Sequence, residues 1–78
     1  MSPKIGRVYV GGPNFEVEAC RGRRFLVRSI EPLTVNVLGK SYTKQMVEVA
    51  FMFRGRVAVD VLELDNWTDA LPASGVNQ

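Results

Sequence analysis

Apolar residues recur at every second position through most of this chain, and many of them are β-branched, so the pattern predicts strands rather than helices. The reading is of five principal strands. The first runs from about Lys4 to Val10 and stops at Gly11-Gly12-Pro13-Asn14, a cluster suited only to a turn. Phe15 to Ala19 and Arg24 to Ile30 form a hairpin, after which Glu31-Pro32 interrupts, because proline has no N–H to give a central strand. Thr34 to Leu38 is a short strand and residues 39–44 a polar loop. Met46 to Phe53 and Arg56 to Leu62 form the last hairpin.

Both hairpins carry x-Arg-Gly-Arg at the tip, in Cys20-Arg21-Gly22-Arg23 and Phe53-Arg54-Gly55-Arg56. A three-residue loop with its glycine in the left-handed region sets the register on each side. For the second hairpin it places Phe51 opposite Val57, Val49 opposite Val59 and Val47 opposite Val61. A two-residue loop sets Phe51 against Ala58 and Phe53 against Arg56, and a one-residue slip reverses every side chain. The same rule pairs Val17 with Phe25, Phe15 with Val27 and Glu18 with Arg24 in the first hairpin. The expected core is Val8, Phe15, Val17, Phe25, Val27, Val35, Val37, Val47, Val49, Phe51, Val57, Val59 and Val61. Leu26, Ala50, Met52 and Ala58 then point away from it as an apolar strip.

Beyond Leu64, Asp65-Asn66 can cap one helical turn holding Trp67, and Pro72 stops anything longer. The expected organisation is one all-β domain over residues 1–72, a small five-stranded barrel of antiparallel hairpins, with a flexible tail over 73–78. Closure would remove exposed sheet edges.

At 78 residues the core is near the lower limit for independent stability, which makes a homo-oligomer, with a dimer favoured, the expected remedy. The single cysteine, Cys20, cannot form an internal disulfide, and without histidine no zinc site is expected; the chain fits a reducing cytoplasm. No apolar run is long enough to span a bilayer, and no signal-like core follows Met1-Ser2-Pro3-Lys4. The net charge of +2 permits nucleic-acid binding without requiring it.

Catalysis has little to work with. There is no histidine base, the serines lack a base partner, and Glu16, Glu18, Glu48 and Asp60 alternate outward from strands. Neither a catalytic site nor a cofactor is expected. Arg21, Arg23, Arg24, Arg54 and Arg56, with Lys40 and Lys44, are the candidate contacts to DNA, RNA or an acidic partner, since an arginine fork meets phosphate or carboxylate bidentately. Tyr42 and Trp67 are candidate aromatic contacts, although Trp67 is better suited to covering an open end of the barrel, since small domains need large apolar caps. Leu26, Ala50, Met52 and Ala58 are the candidate oligomer interface.

Gly22-Arg23-Arg24-Phe25-Leu26-Val27, Ile30-Glu31-Pro32, Val47-Glu48-Val49 and Val57-Ala58-Val59-Asp60-Val61-Leu62-Glu63-Leu64 resemble, in order, the elements of SH3-like barrels, including KOW-type modules. Phe51-Met52-Phe53-Arg54-Gly55-Arg56-Val57-Ala58 is similar to the second motif of Sm-like proteins, which implies an RNA-binding ring, though the acidic residue and Asn of the first Sm motif have no counterpart after Val27. The expectation is a non-enzymatic module, homo-oligomeric, that binds nucleic acid through its arginine-tipped turns in a regulatory role. The alternative is a protein-interaction module or small inhibitor, of the kind phages and plasmids encode, directed at an acidic partner surface. An oligomeric enzyme with a pore between subunits is the third reading.

Overall fold

A computed structural model describes residues 2–73. The chain is all-β: one antiparallel five-stranded sheet in the order β4-β3-β2-β1-β5, with two 3-10 turns and no α-helix among the described residues. The strands are β1 (Val8–Gly11), β2 (Arg24–Val37), β3 (Lys40–Phe53), β4 (Arg56–Glu63) and β5 (Ala70–Pro72). Strand pairing does not close the sheet into a barrel, so β4 and β5 are open edges.

The first expected hairpin does not form. Phe15 to Ala19 is not a strand but part of a loop ending in a 3-10 turn, Glu18–Cys20. β1 takes the place beside β2, pairing Val8 with Leu26, Tyr9 with Phe25 and Val10 with Arg24. The loop is pinned at its start, where the Gly12 N–H donates to Asp69 O at 2.7 Å and the Asn14 N–H to Asp69 Oδ2 at 2.6 Å. At its end, the Gly22 N–H donates to Gly11 O at 2.7 Å. Gly11 has to be glycine, because a Cβ there would collide with the Cys20 carbonyl. Thus held, the loop folds across the sheet and delivers Phe15, Val17 and Cys20 to the core from the side opposite the strands.

The second departure lies at the β3–β4 turn. Arg54 (φ 54°) and Gly55 (φ 77°) both adopt the left-handed conformation, which makes the β3–β4 connection a two-residue turn whose twist suits a hairpin. Phe51 therefore pairs with Ala58, Val49 with Asp60 and Val47 with Leu62. This is the slipped register, so Val57, Val59 and Val61 leave the expected core and stand 69%, 45% and 53% exposed. Leu62 fills the core instead, together with Trp67, Ala70 and Tyr9.

Trp67 follows the second 3-10 turn, Leu64–Asn66, where the sequence predicts a helical turn. Its ring meets Tyr9, Phe15 and Phe25 edge-on, with centroids 5.0, 5.4 and 5.8 Å away. Each such aromatic pair contributes about 0.5–1.5 kcal/mol beyond burial. The tryptophan thus belongs to the core, and as a contact residue it is corrected. Of the expected tail, Ala73 is buried and its N–H donates to Val8 O at 3.0 Å, while residues 74–78 lie outside the described residues.

Neither Pro32 nor the polar stretch after Gly39 breaks a strand. β2 and β3 continue past the other strands as a two-stranded arm closed by a two-residue turn at Leu38 (φ 50°) and Gly39 (φ 77°). β1 pairs only as far as Leu26, so Pro32 has no neighbour on the side where its N–H is missing. The arm makes the molecule elongated, 47 × 27 × 21 Å, and leaves Val35 only half-buried and Val37 exposed rather than in the core.

Candidate functional site

The two Arg-Gly-Arg turns lie at one end of the sheet. β2 starts just after Gly22-Arg23 and β3 ends at Phe53, just before Arg54-Gly55, so antiparallel pairing brings both turns together. Phe53 marks the meeting point: the guanidinium carbons of Arg23 and Arg54 lie 5.7 and 5.2 Å from its ring centre. Such cation–π contacts contribute about 0.5–1 kcal/mol at exposed sites and hold the two forks near one another. Arg56 pairs directly with Phe53, and Arg24 pairs with Val10 at the start of β2. All four arginines are exposed, and none has a carboxylate within salt-bridge distance among the described residues.

Arg21 plays a different part. Its Nε donates to Phe15 O at 2.8 Å and its guanidinium pairs with Glu18 at 3.6 Å, so it fastens the loop. Lys40 and Lys44 are not at this end. Lys40 begins the strand that Phe53 ends, which places them about 40 Å apart at ~3.3 Å per residue. Lys44 is paired with Glu63 at 3.3 Å. Tyr42 also sits on the arm, half exposed.

A second surface adjoins the arginines. Val8, Leu26, Ala50 and Val59 form a row across four strands, with Met52 and Val57 paired beside it. Val8, Leu26, Ala50, Met52 and Val57 line a groove of about 340 Å³ together with Arg24, Phe25 and Phe51. Leu26, Ala50 and Met52 therefore lie on one face, as expected. Ala58 does not: it pairs with Phe51 and packs against the core, and Val57 and Val59 stand where it was placed. The slipped register is the reason.

Sequence reasoning missed Phe53, Val57 and Val59. Their signal was the Arg-Gly dipeptide itself, since a two-residue turn from Arg54 to Gly55 puts Phe53 opposite Arg56 and turns the odd-numbered valines outward.

Cys20 has no solvent exposure, and its thiol is pushed up to about 11, first by burial and then by the charge of Asp60, against a lowering by Arg23. A thiol held protonated at neutral pH is a poor nucleophile. Among the described residues no three His, Cys, Asp or Glu side chains are grouped to hold a metal ion, and no helix is long and apolar enough to cross a membrane. Comparison with protein-family models, with curated proteins and with solved structures finds no match.

Proposed function

We propose that the chain is a non-enzymatic nucleic-acid-binding module whose contact surface is the arginine end of the sheet. The observation that carries this reading is the convergence of Arg23 and Arg54 on Phe53, flanked by Arg24 and Arg56, none of them neutralised by a carboxylate among the described residues. Guanidinium forks that are close together and unpaired suit a phosphodiester backbone, and Phe53, 38% exposed, offers an edge against which a base can pack. The strand order, with a 3-10 turn ahead of β5, supports the resemblance to SH3-like modules; a KOW-type regulatory role in the cytoplasm belongs to the same proposal.

The test is fluorescence anisotropy of a labelled single-stranded oligonucleotide across a salt series. Four phosphate contacts predict a slope of log K against log salt of about −3, at roughly 0.7 per phosphate for single strands. Arg23→Ala with Arg54→Ala should halve that slope, whereas Lys40→Ala should leave it unchanged. No binding at low salt, or equal loss from Lys40→Ala, contradicts the reading.

The apolar row of Val8, Leu26, Ala50 and Val59 favours a second reading, a protein-interaction module with Arg24 meeting a partner carboxylate beside the groove. On that reading Met52→Glu abolishes partner binding and leaves nucleic-acid binding intact.

A further inference from the structure

β4 is an edge strand with no neighbouring strand on its outer side among the described residues. In a two-residue hairpin the closing pair, here Phe53 and Arg56, exchanges both backbone hydrogen bonds. Ala58, Asp60 and Leu62 therefore also turn their backbone groups toward β3, and Val57, Val59 and Val61 turn theirs outward. An independent contact agrees, since the Val61 N–H is taken by Asp60 Oδ1 at 2.8 Å rather than by β3. The N–H and C=O groups of Val57 and Val59 are left as an open template between two exposed β-branched side chains. Edges of this kind are commonly guarded by proline or by charge; β4 carries no proline or lysine, and its two charges without an ion pair among the described residues, Arg56 and Asp60, are of opposite sign.

We infer that this edge is occupied by β4 of a second copy, antiparallel about a two-fold axis at Ala58. A two-fold axis normal to the sheet keeps each face on its own side, so only pairings between residues of the same face are allowed. With the axis at Asp60, two carboxylates stand directly opposite each other. With the axis at Val59, Arg56 faces Leu62 and Asp60 faces Ala58, and neither charge has a partner. With the axis at Ala58, Arg56 faces Asp60 twice, Val57 faces Val59 twice, and the smallest side chain lies where the chains approach most closely. Among the described residues neither Arg56 nor Asp60 has an ion pair within its own chain. Asp60 Oδ1 can keep the Val61 N–H while Oδ2 receives the partner's Arg56, so this register also leaves the existing edge contact intact. The charge pattern of β4 is thus complementary to itself, and opposite charges directly across strands are stabilising where like charges are not.

The dimer has a ten-stranded sheet with Val57 and Val59 of both copies on one face. Its two arginine ends point in opposite directions, each keeping Arg23, Arg24 and Arg54 free. Arg56 is shared between the two readings: it is open to phosphate in the monomer and taken by Asp60 of the partner subunit in the dimer, which leaves three of the four arginines to a nucleic acid.

Sedimentation of the unaltered chain should show concentration-dependent mass rising toward a dimer by ~100 µM, as befits a small interface. Arg56→Asp and Asp60→Arg should each give monomers, and the two together should restore the dimer, with circular dichroism confirming the fold of each. In a mixed-isotope sample of the unaltered chain, an intermolecular contact between the Hα of Arg56 and the Hα of Asp60 reports the register without any substitution. A monomer at every concentration up to ~1 mM, or a folded double variant that stays monomeric, would overturn the proposal. So would a dimer that lacks that Hα contact.

Discussion

Leu62 and Val61 are neighbours in β4, and the two hairpin registers assign them opposite fates. In the structure Leu62 is 3% exposed and packs in the core, while Val61 is 53% exposed on the outer face. Leu62→Ala removes three buried carbons and leaves a cavity between Val47 and the elements around it, a change that costs about 2–5 kcal/mol. Val61→Ala removes two half-solvated methyls and should cost no more than about 0.5 kcal/mol. In urea, with a slope near ~1 kcal/mol per molar for a chain of this size, Leu62→Ala lowers the midpoint by roughly 2 M or more, and Val61→Ala by roughly 0.5 M or less. Trp67, ringed by Tyr9, Phe15 and Phe25, supplies the fluorescence signal for both curves. Equal shifts, or a larger shift for Val61→Ala, would refute the two-residue turn and everything placed by it.

Arg54 holds a left-handed conformation that Asn adopts more readily, and the substitution also removes the cation–π contact with Phe53, so Arg54→Asn should leave stability within about 0.5 kcal/mol while weakening oligonucleotide binding, read by thermal melting and anisotropy on one sample. Cys20 offers a pH signature: its thiol is pushed up to about 11 in the folded chain, so the native state holds the proton more tightly than the unfolded one. The resulting stability is present in full below the ordinary thiol range and is lost as pH climbs from ~9 toward 11. Urea midpoints should fall across that window more steeply for the unaltered chain than for Cys20→Ala, and alkylation of the native thiol at neutral pH should be slow.

The all-β class could be read from alternation alone, because period two marks Phe25 to Val27, Val47 to Phe51 and Val57 to Val61 whichever hairpin register is chosen. Register could not. The expected three-residue loop put its glycine in the left-handed region; Arg54 enters that region as well as Gly55, and one residue of slip exchanged Val57, Val59 and Val61 for Leu62. The alternation in Phe15-Glu16-Val17 misled for a related reason, since an irregular loop can also send alternate side chains inward when Asp69 and Gly11 anchor its ends. Pro32 and the polar residues after Gly39 implied breaks that a two-stranded arm tolerates, both its outer sides being solvent. At the candidate site the arginine tips were legible as a repeated pattern, and Leu26, Ala50 and Met52 as one strip. Their adjacency through Phe53 depends on pairing between distant segments, which no local pattern encodes.

On the proposed reading the paired turns around Phe53 form the nucleic-acid contact. The decisive measurement follows amide chemical shifts while an unlabelled single-stranded oligonucleotide is titrated into isotopically labelled protein. Changes should concentrate in residues 22–24 and 53–57, with the arm around Tyr42 and Lys44 silent. Changes confined to the arm, or none at low salt, would contradict it.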